Sequence, residues 1–299
     1  MNKAADSLLI KENRYYLDKY YSKGIPKGGI RLMTKSIRII RTFGVLGLLK
    51  KLQKKASKGK KYFSDTFEEE YPDVKTLKGR IAVYTAIIDR YDNLLEPKYI
   101  SPHCDYFIFT DMEISSNSVW RKKDLPTDEY YISLGKYQKA KYFKIFPHKL
   151  FPDYDYSVWI DGNILIYGDL APFVERMGDT FLAEFEHPTN NCVYDEAFSI
   201  VSQGKAPGKE VRKQISAYKT AGFPRHYGLL ENSLIIRKHN NKLCIELMNE
   251  WWRQMVEHTW RDQLSLTYSM WKCGIGMENI TVLGPCWRWN PRLRQCYHI

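Results

Sequence analysis

The chain has 299 residues, 44% hydrophobic and 27% charged, with no low-complexity tract. That composition allows a full hydrophobic core and excludes a fibrous or wholly disordered protein. The net charge is +12, but residues 1–78 hold 19 Lys and Arg against 8 Asp and Glu, leaving only +1 on the other 221; a nucleic-acid-binding body would carry its positive charge along a groove, so no nucleic-acid partner is expected.

In chain order, residues 1–78 read as a basic, partly helical N-terminal extension, and residues 79–299 as the catalytic domain. Within the extension, "TKSIRIIRTFGVLGLLKKLQKKASKGKKYF" (34–63) sets Ile, Leu, Val and Phe among Lys and Arg. Two readings compete: a helix lying on an anionic membrane surface, or a helix packed on the body and followed by a solvated basic linker. No run approaches about 18 apolar residues, so no membrane span is expected, and the N-terminus lacks the apolar centre of a signal peptide. The expectation is a cytoplasmic protein, peripheral to a membrane if the first reading holds.

From residue 79 the pattern changes. "GRIAVYTAII" (79–88), "CDYFIFTD" (104–111) and "YSVWID" (156–161) are short β-branched and aromatic runs that read as buried strands. Between the last two, "SLGKYQKAKYFKIFPHKLF" (133–151) fits a helix stopping near Pro147. Further strands are expected at "TFLAEFEH" (180–187) and "NSLIIRKH" (232–239), and helices at 242–258 and 261–272. Strands alternating with helices predict an α/β fold with a mixed, mainly parallel sheet. The six cysteines, at 104, 192, 244, 273, 286 and 296, form no CxxC pair and have no zinc spacing, which fits a reducing compartment.

"YSVWIDGNILIYGD" (156–169) carries two signals at once. Asp161-Gly162 between apolar runs is a tight hairpin-turn signal. The Asp161 carboxylate and Asn163 amide oxygen, at the end of a buried strand, are also hard donors able to hold a divalent cation against a diphosphate.

These stretches, together with "EHPTNNCVYDEA" (186–197), "YGLLENSLIIRKHN" (227–240) and "WRDQLSLTYSMWK" (260–272), resemble nucleotide-diphosphate-sugar glycosyltransferases of the GT-A, Rossmann-like fold. More narrowly, they resemble a glycosyltransferase-like domain, formerly of unknown function, found in bacterial polysaccharide-synthesis proteins and in plant proteins linked to mucilage and turgor. The resemblance covers about residues 79–285. It implies transfer of a sugar from a nucleotide-diphosphate donor, with UDP the favoured nucleotide, to a glycan or glycolipid acceptor in surface polysaccharide synthesis. It also implies that Asp161-Gly162-Asn163 is both turn and metal site for Mn2+ or Mg2+. Asn163 stands where the family pattern has a second aspartate, so weaker metal binding is expected, and metal-independent chemistry with Lys or Arg neutralising the leaving group stays open.

The same resemblance assigns Thr85, Ala86, Asp89 and Tyr91 to the nucleoside, with Asp111 at the second strand end; for Asp89, a plain loop cap is the alternative. Lys139 or Lys141 would reach sugar or phosphate, against the alternative of a solvated lysine face. His187 would meet phosphate or acceptor, and Glu231 and Asn232 the sugar, with Glu231 also a candidate catalytic residue. Asp262 stands where inverting enzymes of this fold carry their general base, next to Gln263 on the donor side, while "DGNILIYGDL" resembles retaining glycogenin-like enzymes, so both stereochemical outcomes stay open. The alternative for Asp262 is a capping box with Thr259. His298 is a further candidate metal ligand. Two other functions remain: a catalytically inactive glycan- or partner-binding module, favoured by Asn163, and a nucleotidyltransferase, disfavoured because "YTAIIDRYD" has no glycine for a phosphate loop.

Overall fold

The computed structural model describes residues 3–22, 37–45, 49 and 77–296. The strands are β1 (Ile81–Ile87), β2 (Cys104–Thr110), β3 (Arg121–Lys123), β4 (Tyr156–Ile160), β5 (Ile164–Ile166), β6 (Leu182–Glu186), β7 (Leu230–Arg237), β8 (Thr281–Val282) and β9 (Leu293–Gln295). The helices are α1 (Lys3–Ser22), α2 (37–45), α3 (Glu129–Ser133), α4 (Lys136–Ile145), α5 (Pro147–Leu150), α6 (Ala171–Arg176), α7 (Val193–Gln203), α8 (Gly208–Thr220), α9 (Lys242–Glu257) and α10 (Leu266–Lys272).

Seven strands form one sheet in the order β3-β2-β1-β4-β7-β6-β8. Pairings β1–β2, β1–β4, β2–β3 and β6–β8 are parallel, while β7 runs antiparallel to both neighbours. This is the expected α/β architecture with a mainly parallel sheet. It has a consequence for function: the C-terminal ends of β1, β2, β4 and β6 meet the N-terminal end of β7 along one edge. In open sheets, ligands bind at that edge.

The core follows from the strand sequences. β1 and β4 are mostly apolar on both faces and almost wholly buried, as central parallel strands must be when helices cover both sides, and antiparallel β7 is equally buried although it carries Glu231, Asn232 and Arg237. On one face Tyr84, Phe109, Phe143, Phe151 and Trp159 interlock, with Phe109 and Phe143 stacked at 4.2 Å between centroids. Each such aromatic contributes about 2–3 kcal/mol by leaving water. α4 stops at Phe146, and Pro147 opens α5 because proline is tolerated only in a helix's first turn.

Two expectations are corrected. The turn at Asp161 is real, with Ile164 N–H donating to Asp161 O at 3.0 Å, but it is not a hairpin. β5 leaves the main sheet and pairs antiparallel with β9. The helix expected over 261–272 starts instead as a 3-10 turn (Asp262–Leu264), followed by α10. There the Asp262 carbonyl accepts from Trp251 Nε1 (3.2 Å), the Ser265 hydroxyl (3.3 Å) and Ser265 N–H (3.1 Å), which displaces regular helical bonding.

The described residues of the N-terminal region pack on the body. Asn13 of α1 is fully buried, donates to the carbonyls of Pro291 and Leu293 at 2.9 and 2.8 Å, and accepts from Arg294 Nε at 2.7 Å. α2 packs on the body through Ile39 and through Phe43, whose ring lies 4.2 Å from that of Phe198. Of segment 34–63 only 37–45 and 49 are among the described residues; α2 follows the packed-helix reading while leaving Ile37, Ile40 and Val45 exposed, and Leu49 beyond it is exposed as well. Among the described residues no helix is long and apolar enough to cross a membrane, and all six cysteines are free.

Candidate active site

The sheet edge gathers charged side chains into one cluster. Asp161 follows β4, its N–H bonded to Ser233 O of β7 at 2.9 Å. Its Oδ1 accepts from Trp159 Nε1 at 2.7 Å, a contact set up by strand geometry because residues two apart share a face. Lys144 Nζ, buried at the C-terminal end of α4, lies 3.4 Å from the same Oδ1 and 2.7 Å from Asp262 Oδ2. Lys141 Nζ, one helical turn earlier, lies 2.9 Å from Asp262 Oδ2. Asp262 Oδ1 accepts from Gln263 N–H at 3.1 Å. Lys144 thus bridges Asp161 at the end of β4 and Asp262 on the 3-10 turn, and Lys141 shares Asp262.

The electrostatics follow from the geometry. Burial alone would raise the Asp262 pKa, but Lys141, Lys144 and Arg261 outweigh it and hold the carboxyl well below its usual range. Burial lowers Lys144, but Asp161 and Asp262 more than compensate, so its pKa is raised. For Lys141 burial wins, with Lys144 and Arg261 repelling, and its pKa falls to about 8. Behind the cluster, burial pushes fully buried Glu184 up to about 8, and neither of its carboxyl oxygens has a hydrogen-bond partner among the described residues. Arg237, also fully buried, fixes the end of α4 by donating to Lys144 O at 2.7 Å and to the Tyr84 hydroxyl at 2.5 Å.

The other sequence candidates sort by position. Gly162 stands where a Cβ would lie 3.1 Å from Ile87, so the turn can press against β1. Glu231 opens β7, buried and ion-paired with Arg288; its pKa is raised by burial against the pull of Arg288. Asn232, next to it, is buried with neither amide atom hydrogen-bonded among the described residues. Gln263 is tied to the Leu230 carbonyl through Nε2. Thr85 is buried with an unbonded hydroxyl, and Ala86 is half-buried at the end of β1. Asp111 accepts from Asp89 N–H at 3.1 Å, holding the turn after β1. Tyr91 meets Tyr137 edge-on at 5.3 Å.

Four expectations shift. Lys139 stands over the Tyr131 ring at 5.4 Å rather than at the carboxylates, and Lys144, which the spacing did not single out, takes the inner place. Asp89 pairs with Lys136 at 3.3 Å, is 67% exposed and has φ +58°, so it shapes a loop. His187 is engaged by its own loop and by α7: Nδ1 accepts from Asn190 N–H at 3.1 Å, and Nε2 lies 3.6 Å from Glu196. The capping box at Asp262 is absent: the turn is capped by Arg261 with no side-chain bond, and the Thr259 hydroxyl donates instead to Gln214 Oε1 at 2.7 Å. His298 lies outside the described residues.

For a divalent cation the donor chemistry fits. Asp161 is half-exposed at the turn, its Oδ2 has no bond among the described residues, and Asn163 follows two positions on. One carboxylate and one amide would leave most of a cation's ligands to substrate oxygens.

A family model described as "TOD1/MUCI70, glycosyltransferase-like domain" matches residues 47–288. A curated relative from Arabidopsis thaliana, described as "Probable hexosyltransferase MUCI70", is 26% identical over 236 residues, covering 68% of this chain and 39% of that protein. The chain therefore spans about two fifths of that relative's length. Among solved structures, the apo bifunctional glycosyltransferase WbbM is similar at a TM-score of 0.44 and 15% identity, over 70% of this chain and 39% of that one.

Proposed function

The chain belongs to the TOD1/MUCI70 glycosyltransferase-like family, and from that premise we propose that it transfers a hexosyl group from a nucleotide-diphosphate donor, with UDP the favoured nucleotide, to a glycan or glycolipid hydroxyl. The observation that carries the proposal is the buried Lys141–Asp262–Lys144 cluster beside Asp161 at the ligand-binding edge of the sheet. Breaking the bond to a diphosphate requires fixed positive charge where the leaving group gains negative charge. The two buried ammonium groups supply it as the donor phosphates replace Asp262 as their counterion.

The residues divide the work. Lys141 and Lys144 neutralise the diphosphate. Asp161 and Asn163 would hold Mn2+ or Mg2+, which when bound adds positive charge on the same leaving group. Asn232 and Glu231, at the start of β7, orient the sugar hydroxyls. Thr85, Ala86 and Tyr91 flank the nucleoside. Asp262 has a double role: free of donor it anchors both lysines and is a weak base, and donor phosphates that draw the lysines away raise its basicity. It then takes the acceptor hydroxyl proton as the acceptor oxygen bonds C1 and the C1–O bond to the diphosphate breaks, an inverting displacement.

The setting we propose is surface polysaccharide synthesis on the cytoplasmic face of a membrane, with the exposed apolar residues Ile37, Ile40 and Val45 of the packed helix α2 against anionic lipid. The test is a thermal-shift panel of UDP-, GDP- and CMP-sugars with Mn2+, followed by release of free nucleotide. Stabilisation by one nucleotide class with slow hydrolysis supports the transferase. Binding without hydrolysis or transfer to any acceptor supports the inactive binding module instead.

A further inference from the structure

α2 and the turn joining α7 to α8 border an open recess of about 640 Å3, whose Lys205 is near enough to Asp262 and Glu196 to feel their charge. Its charged lining residues are all cationic: Arg38, Arg41, Lys205, Lys209 and Arg212. We propose that this recess is a second binding site, distinct from the donor site, for the phosphoryl group of a larger molecule.

The recess is built rather than incidental. Gly204 has φ +69°, and a Cβ there would lie 2.4 Å from an Arg38 guanidinium nitrogen. A Cβ on Gly208 would lie 2.2 Å from the Thr42 hydroxyl oxygen. Glycine at both positions lets α2 close on the turn, and Ile39 with the Phe43–Phe198 contact anchors it there. Among the described residues none of the five cations is ion-paired with a carboxylate, although exposed Lys and Arg elsewhere on this chain do pair, as Arg225 does with Asp195. Burial and the nearby Arg261 lower the Lys205 pKa against a weaker pull from Glu196.

The chemistry selects the ligand class. Three guanidinium forks and two ammonium groups match a multivalent oxyanion better than a single carboxylate, because Arg binds phosphate oxygens in pairs. The volume falls in the range of sites for whole small molecules, so the phosphoryl group would belong to something larger than a free ion. That group could be a lipid headgroup or part of a soluble phosphorylated compound.

The experiment uses the full chain, the exposed double variant Arg41→Gln/Arg212→Gln, and a charge-matched control, Lys98→Gln/Lys242→Gln. Inorganic pyrophosphate is titrated calorimetrically with UDP present in excess, and flotation is measured on phosphatidylcholine vesicles with and without phosphatidic acid. We expect the Arg41/Arg212 variant alone to weaken pyrophosphate binding by about tenfold or more, as loss of two charge-assisted contacts requires. If its phosphatidic-acid-dependent flotation also falls, the source is lipid; if flotation is unchanged, the source is soluble. Pyrophosphate affinity and flotation unchanged in the Arg41/Arg212 variant, or reduced equally in the control, would overturn the proposal.

Discussion

Lys144 Nζ lies 2.7 Å from Asp262 Oδ2, a buried ion pair joining the end of α4 to the 3-10 turn before α10, 118 residues later. Removing one partner of such a pair leaves an uncompensated buried charge, at a cost of about 3–5 kcal/mol. Here Lys141 still neutralises Asp262, so Lys144→Met should fall at the low end, about 3 kcal/mol by urea unfolding. Lys139→Met, which removes only a contact over Tyr131, should change stability by less than about 0.5 kcal/mol. Equal losses in the two variants would contradict the placement of Lys144.

Lys141 provides a pH signature. Its pKa of about 8 in the free protein means that it loses its proton, and its grip on a phosphate, just above neutrality. Donor kcat/KM should therefore fall as pH rises through about 8, since that ratio reports the free enzyme. Lys141→Arg keeps its charge at every accessible pH and should remove this limb. A limb that persists in the arginine variant belongs to another group.

Glu184 should make stability pH-dependent in a definite direction. Unfolded, its carboxyl loses a proton near the ordinary value of 4.5; folded, it keeps it up to about 8. The folded state binds more protons in that window, so stability falls as pH rises from 4.5 to 8. Glu184→Gln removes the penalty. It should be close to neutral at pH 4 and stabilising by ~3 kcal/mol at pH 7, read as a rise in Tm. No difference between the two pH values would show that Glu184 ionises normally.

Asn163 tests the metal reading. Asn163→Asp adds a charge to an otherwise singly charged donor set and should tighten Mn2+ binding in the presence of UDP by about tenfold, measured by electron paramagnetic resonance. Unchanged Mn2+ affinity would take residue 163 out of the ligand set.

Much of this arrangement could be read from the sequence, and the misses have physical causes. The strands at 81–87, 104–110 and 156–160 were legible because short β-branched and aromatic runs have few other ways to be buried. Asp161 was legible because a carboxylate ending such a run stands at the ligand edge. Lys144 was not, since "YFKIF" reads as core and only the fold shows that its lysine is neutralised by carboxylates from β4 and from residue 262. The paired signal was present, as Lys141 and Lys144 are three residues apart on one helical face. The hairpin at Asp161 failed because turn chemistry specifies a reversal and not the partner, and β9 offered β5 a better one. The docking of α1 rests on Asn13 reaching backbone carbonyls 278 and 280 residues away, which no local pattern reveals.

The central claim is that the two lysines beside Asp161 hold a diphosphate leaving group. The most direct measurement is release of UDP from a UDP-hexose by the wild type, Lys144→Met and Lys139→Met, all compared below the melting temperature of each. We predict measurable release by the wild type and by Lys139→Met, and a loss of about a hundredfold or more in Lys144→Met, the scale expected for one preorganised charge on a developing anion. Equal rates in all three proteins would contradict it.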